Sequence, residues 1–234
     1  TLFADLSGLV PFDAVFWPAF DHFGSYGGAL FVDDDNNVSP DRIYRVTSSG
    51  TGSVFTNGPG VDNDVLVSDP VGAFGGSLFL HVGQGLATLY KVTPAGASTA
   101  FATGIPDLTG QIAFSPGGAF GTSMYIVGES NGRIYTAAPG HVAGQPASLF
   151  AGFQANSGSL RPGGIAISDT GPFGTDVMYV MDRNTLSIVT VNASGHTTGT
   201  FATGLSGVTV IDLPHTGDFA STARWCGARP RSGR

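Results

Sequence analysis

The chain has 234 residues, a formal charge of −7, 41% apolar and only 12% charged residues, with 36 Gly and 14 Pro. That length allows one large all-β domain or two small ones, and the composition suits many short strands joined by tight turns better than helices. Ten Lys and Arg, with Lys91 the single lysine, exclude a nucleic-acid partner, which needs clustered cations, and make divalent cations better company for this surface.

Taken in chain order, "TLFADLSGL" at 1–9 reads as a lone outer strand, because it resembles "GTFATGLSG" at 199–207. Phe-Gly pairs then recur at 23, 74, 120 and 173, separated by 51, 46 and 53 residues, the period of propeller blades or solenoids. Each unit parses into four strands. Inner strands "AVFW", "VLVSD", "QIAFS", "GIAIS" and "VTVID" precede the Phe-Gly motif, and "ALFV", "LFLHV", "MYIV" and "MYVM" follow it. Third strands "RIYRV", "TLYKV", "RIYTA" and "LSIVTV" lead to fourth strands "GSVFTNG", "TAFATGI", "ASLFAGF" and "GTFATGL". The pattern predicts a single all-β domain, a five-bladed β-propeller with blades at about 10–58, 59–104, 105–158 and 159–204. The fifth comprises 205–234 plus 1–9, so the N-terminal strand closes the ring. Its last segment, "ASTARWCGARPRSGR", departs from the blade pattern, and an open barrel or sandwich is the alternative.

Cys226 has no partner for a disulfide, and no apolar run approaches the roughly 20 residues that span a bilayer. Low lysine and high Gly, Ser and Thr lean toward an exported bacterial protein, secreted or periplasmic, and toward a monomer. The triplet Asn192-Ala193-Ser194 matches a glycosylation pattern short enough to arise by chance.

In such a blade the second-to-third and fourth-to-first connections emerge on one face, where propeller function usually resides. Here they carry Asp33, Asp34, Asp35, Asp41, Asp62, Asp64, Asp107, Glu129 and Asp182. So many carboxylates converging on one rim would repel unless neutralised, and oxygen-only donors favour Ca²⁺ over Zn²⁺. The most specific signal is Asp33-x-Asp35-x-Asn37-x-x-x-Asp41, which alternates oxygens as calcium loops do. Val38 and Tyr44 stand where a helix-loop-helix site needs Gly and Glu, which excludes that site; a solvated acidic turn is the competing reading. At the other ends of the inner strands, Asp69 and Asp169 read as turn caps or as structural calcium ligands, and Phe74, Phe120 and Phe173 as plugs between blades. His81, closing "LFLH", is the candidate base, since imidazole suits proton transfer near neutrality; a structural histidine is the alternative. There is no Gly-x-Ser-x-Gly elbow.

The stretches "QIAFSPGGAFGTSMYIVGES" and "GIAISDTGPFGTDVMYVMDR" resemble blades of the calcium-dependent propeller lactonases, the gluconolactonase, senescence marker protein and paraoxonase group. That resemblance, strongest over Val61 to about Thr185, implies a catalytic Ca²⁺ with Asn63 and Asp64 in the place of the family's Asn and Glu129 and Asp182 in the place of its Asp. Gln111 and Gly164 depart from the pattern. It further implies a hydrolase of small lactones, sugar lactones or the N-acylhomoserine lactones of quorum sensing. A non-enzymatic exported propeller that binds carbohydrate or a protein partner is the runner-up. A lyase built on Arg161 and His81 is a third possibility.

Overall fold

The computed structural model describes residues 15–34, 41–60, 63–83, 86–106, 111–152, 162–169 and 172–205. The proposed fifth blade, 205–234 with 1–9, lies outside them save for Leu205. The described residues are all-β, with two single 3₁₀ turns at Gly118–Phe120 and Glu129–Asn131 and no α-helix. No helix among them is long and apolar enough to cross a membrane.

Four antiparallel meanders form. The first runs β1 (Val15–Phe20), β2 (Leu30–Asp34), β3 (Arg42–Val46), β4 (Gly52–Asn57), and the second β5 (Asn63–Ser68), β6 (Leu78–Val82), β7 (Leu86–Val92), β8 (Ser98–Pro106). The third is β9 (Ile112–Phe114), β10 (Met124–Gly128), β11 (Arg133–Ala137) and β13 (Ser148–Gly152), and the fourth β14 (Pro162–Ser168), β15 (Val177–Asp182), β16 (Ser187–Val191) and β17 (Thr197–Ala202). β12 (Gln145–Pro146), from the connection between β11 and β13, adds in parallel to the edge of β8. The chain divides into two compact units, one holding the first two sheets with 137–147 and the other the last two.

Strand sequence follows depth. β6 and β10 are buried at all five positions and read as unbroken apolar runs, as strands covered on both faces must. The outer strand β17, "TTGTFA", is exposed along nearly its whole length and is Thr- and Gly-rich. In the first unit Ala19, Phe31, Leu66, Leu78 and Leu80 share one core; in the second, Val127, Ile165, Met178 and Val180 do.

Every sheet solves the same packing problem with three rings. Tyr26, Phe31 and Phe55 meet edge to face with centroids 5.0–6.0 Å apart, as do Phe74, Phe79 and Phe101 at 5.2–5.9 Å. Phe120, Tyr125 and Phe150 repeat the arrangement, and Phe173 and Tyr179 both meet Phe201. The first sheet therefore uses Tyr26, not Phe23, at the position of Phe74, which corrects the repeat register read from the Phe-Gly pairs. Tyr26 and Phe31 also pack into a core shared with Leu66, Leu78 and Leu80 of the second sheet, and Phe120 and Tyr125 into one shared with Ile165, Ile167 and Met178 of the fourth, so these rings fill space between neighbouring sheets as well as within their own. Tyr26 ties two sheets by hydrogen bonds, donating to the Val92 carbonyl and accepting from Leu78 N–H at 2.9 Å.

The carbonyl of the first ring in each trio is covered in two different ways. In the first two sheets, where the second-strand ring is Phe, a cation opposite it donates: Arg45 Nη2 to Tyr26 O at 2.9 Å and Lys91 Nζ to Phe74 O at 3.1 Å. In the last two that ring is Tyr, and its own hydroxyl donates: Tyr125 to Phe120 O at 2.7 Å, and Tyr179 to Phe173 O. Thr136 and Thr190 then stand where the cations would be.

Candidate functional site

Strand direction brings the sequence-selected residues of each unit to one end of its sheets. In the first unit Asp33 pairs with Ile43, Arg42 with Asn57 and Asn63 with Val82, so the end of β2, the start of β3, the end of β4, the start of β5 and the end of β6 lie together. In the second, Asp182 pairs with Pro162 on one side and Ser187 on the other, at the corresponding end of its sheet.

Asp33 and Asp41 are both fully buried, at 0% exposure. Side chains on a strand alternate, so Asp33, opposite Ile43, and Asp41, two residues before Ile43, share a face, and diagonal neighbours of this kind stand about 7–8 Å apart or less. Two ionised carboxylates so placed are costly unless donors or a cation compensate them. Asp41 also fixes the turn through its backbone, its carbonyl accepting Gly58 N–H at 2.6 Å. Asp33 and Asp41 are the first and last acids of the Asp33-x-Asp35-x-Asn37-x-x-x-Asp41 pattern, which the β2–β3 hairpin brings together. Asp35 and Asn37 lie outside the described residues, and Asn63, Asp64 and Glu129 are described in backbone only. Asp64 occupies a bulge in β5, where the register against β6 shifts between Asn63 and Val65.

His81 sits in β6 opposite Val65 and Leu89 and is fully enclosed, at 0% exposure. It occupies the rung that Asp33 holds in β2, each two residues beyond the second-strand ring of its sheet. The sequence placed it on a rim; the structure places it beneath one.

In the second unit Asp182 is buried and its carboxylate closes its own turn, Oδ1 accepting Asn184 N–H at 3.0 Å and Oδ2 the Thr185 hydroxyl at 2.5 Å. Gln111, where the resemblance would put Asn, gives Oε1 to Ile165 N–H at 3.2 Å and so joins β14 to the segment before β9. Among the described residues no three His, Cys, Asp or Glu cluster as a metal site. Asp33 and Asp41 are hard oxygen donors of the type calcium takes, but they are two of the six to eight it needs. The donor set fits in kind, with the remainder to come from backbone carbonyls and from side chains outside the description.

At the opposite strand ends the capping reading of Asp69 holds. Oδ1 accepts Val71 and Gly72 N–H at 3.1 and 3.0 Å, Oδ2 accepts Phe74 and Gly76 N–H at 2.7 and 3.0 Å, and Asp69 is fully buried. Asp21 does the same for Tyr26 and Gly28. Four backbone donors hold the Asp69 carboxylate by local bonds, as a structural cap requires.

No family model and no curated protein matches the chain. Solved structures do resemble it. A chain of the nidogen/laminin complex aligns over 85% of this chain and 70% of its own at 18% identity, with a TM-score of 0.58. Regucalcin from Agrobacterium tumefaciens, described as a calcium-binding protein, aligns over 75% of this chain and 57% of its own at 15% identity and a TM-score of 0.51. A Bacteroides thetaiotaomicron protein of unknown function aligns over 80% and 43%, at 16% identity and a TM-score of 0.53. At such identities the likeness is one of fold, and it supports a β-propeller. The chain spans little more than half of regucalcin.

Proposed function

We propose that the chain is a five-bladed, exported, monomeric propeller that binds Ca²⁺ and hydrolyses small lactones. The observation that carries this reading is the pair of fully buried carboxylates, Asp33 and Asp41, at the end of the first unit where Asn63 and Asp64 begin β5. Asp35 and Asn37 in the β2–β3 connection, with Asn63 and Asp64, would supply the further oxygens. Glu129 and Asp182 are the corresponding donors of the second unit. A bound calcium supplies Lewis acidity that polarises a lactone carbonyl. The residues' own part is to hold hard, desolvated oxygens in place, and His81 lies too deep to meet bulk water, so it takes protons only from a group within the site. The likeness to a calcium-binding propeller agrees with this reading.

The test is hydrolysis of a panel of lactones before and after chelation, with equilibrium calcium binding measured on the same protein. Activity lost to the chelator and restored by calcium supports the proposal; calcium binding without hydrolysis of any lactone refutes the catalytic half, and absence of both refutes it entirely.

A second reading, a non-enzymatic module for a carbohydrate or protein partner, is favoured by Asp182, whose two oxygens are engaged in its own turn, and by the enclosure of His81. The nidogen likeness comes from a protein–protein complex. On this reading chelation lowers melting temperature and leaves no activity to lose.

A further inference from the structure

The chain contains two Asn-Gly pairs, Asn57-Gly58 and Asn131-Gly132, and both lie among the described residues. In this dipeptide the asparagine side chain is unusually open to attack by the next backbone nitrogen, because glycine has no β-carbon to stand in the way. The fold treats the two pairs in opposite ways.

Asn57 is the last residue of β4 and pairs with Arg42. Gly58 is buried, and its N–H, the group that would attack, donates to the Asp41 carbonyl at 2.6 Å. That bond and the strand pairing must open before the nitrogen can turn on its neighbour. Asn131 is exposed at the tip of the β10–β11 hairpin, where it ends a single 3₁₀ turn and Gly132 follows at φ 66° and ψ 33°. Closing a ring takes Asn131 out of its 3₁₀ angles, which one isolated turn of poor hydrogen-bond geometry permits at small cost. Its amide nitrogen Nδ2 donates to the Tyr135 hydroxyl at 2.7 Å.

We propose that Asn131 is a site of spontaneous deamidation and that the fold protects Asn57 from the same reaction. The Gly132 nitrogen gives its proton to solvent base and bonds to Asn131 Cγ; the Cγ–Nδ2 bond breaks and ammonia leaves, so a cyclic imide forms. Water then opens the imide at either of its carbonyls and leaves aspartate or isoaspartate, with nothing oxidised or reduced. The product carries a new negative charge two residues after Glu129, one of the proposed calcium donors, and turns the donor that faced the Tyr135 hydroxyl into an acceptor. None of these steps depends on the lactonase reading.

The experiment incubates the whole protein in mildly alkaline buffer made with heavy-oxygen water, beside a sample unfolded in guanidinium, and follows label in both peptides by mass spectrometry. Each pair is read as its folded rate divided by its unfolded rate, which removes the influence of local sequence. That ratio is at least about tenfold lower for Asn57 than for Asn131, because only Asn57 must break a buried backbone bond first. A smaller difference, or the reverse order, overturns the proposal. Asn131→Gln, whose longer side chain closes the ring far more slowly, loses the label from its peptide; label that persists there overturns the assignment to Asn131.

Discussion

Arg45 and Phe31 are the sharpest place to test how the repeat holds itself together. Arg45→Thr removes the Nη2 bond of 2.9 Å to the Tyr26 carbonyl, in a residue buried to 6% exposure, and no other donor to that carbonyl is seen among the described residues. Orphaning a buried carbonyl that had a charged donor costs about 1–3 kcal/mol. The equivalent Lys91→Thr costs less, about 0.5–1.5 kcal/mol, because Ser77 Oγ still donates to Phe74 O at 2.9 Å. Phe31→Tyr alone forces a hydroxyl into space that the Arg45 head occupies, overpacking by about 1–3 kcal/mol. Combined, Arg45→Thr and Phe31→Tyr rebuild the Tyr–Thr solution of the third and fourth sheets, where the tyrosine hydroxyl covers the same carbonyl. The double variant then lies within about 1 kcal/mol of the parent, a coupling of about 1–6 kcal/mol in the favourable direction. Urea unfolding of the four proteins measures this. If the double variant loses the sum of the two single losses, the sheets are not interchangeable at this position and the reasoning fails.

Asp69→Ala leaves four N–H groups without their acceptor, those of Phe74 and Gly76 buried and those of Val71 and Gly72 part-buried, and lowers stability by about 3 kcal/mol or more, while Asp21→Ala, losing an acceptor for two, costs roughly half as much; thermal melts rank them. Burial raises the hydroxyl pKa of Tyr26, Tyr125 and Tyr179 above 10.0 in the folded protein. Their contribution is therefore full below pH 10 and is lost as pH climbs through the folded values. Melting temperature falls over that alkaline range, and absorbance at 295 nm shows these phenols ionising later than in the unfolded chain; simultaneous ionisation would contradict the burial argument.

Repetition was legible because every sheet faces the same demands, a ring trio and a capped first loop, and three of the four close their last turn on a glycine. Gly50, Gly96 and Gly195 all take φ near +80° in turns closed by Thr47, Thr93 and Asn192, and the sequence shows the glycine each time. The first unit misled because Phe23-Gly24 spells the dipeptide without occupying its place. Position is counted from the capping residue, and Asp21 to Tyr26, Asp69 to Phe74, Ser115 to Phe120 and Ser168 to Phe173 are each five residues. Phe23 instead lies against the glycines of the next sheet's loop, where a β-carbon at Gly76 would meet its ring. The burial of His81 was hidden for a different reason. Period-two alternation says which face a residue takes, and both faces of β6 are covered, so neither face reaches solvent.

The rung that holds Asp33 in β2 and His81 in β6 holds Val127 in β10 and Met181 in β15, and all four residues are buried. The fold itself has no need of an ionisable group there, since half of its described sheets fill the place with hydrocarbon or thioether. An acid kept at such a rung, with a second acid diagonal to it, is costly unless donors or a cation compensate it, and so invites a functional explanation. Asp33→Val, which puts at this rung the residue type that β10 carries there, should leave the calcium-free protein no less stable than the parent. The same substitution should abolish the stabilisation that calcium gives the parent, about 2.7 kcal/mol at a hundredfold excess over Kd, and with it the calcium-induced rise in Tm. Differential scanning calorimetry with and without calcium reads both effects. A variant that melts lower than the parent without calcium, or that keeps the full calcium shift, would show that Asp33 serves the sheet and that the first unit's acidic end is no cation site.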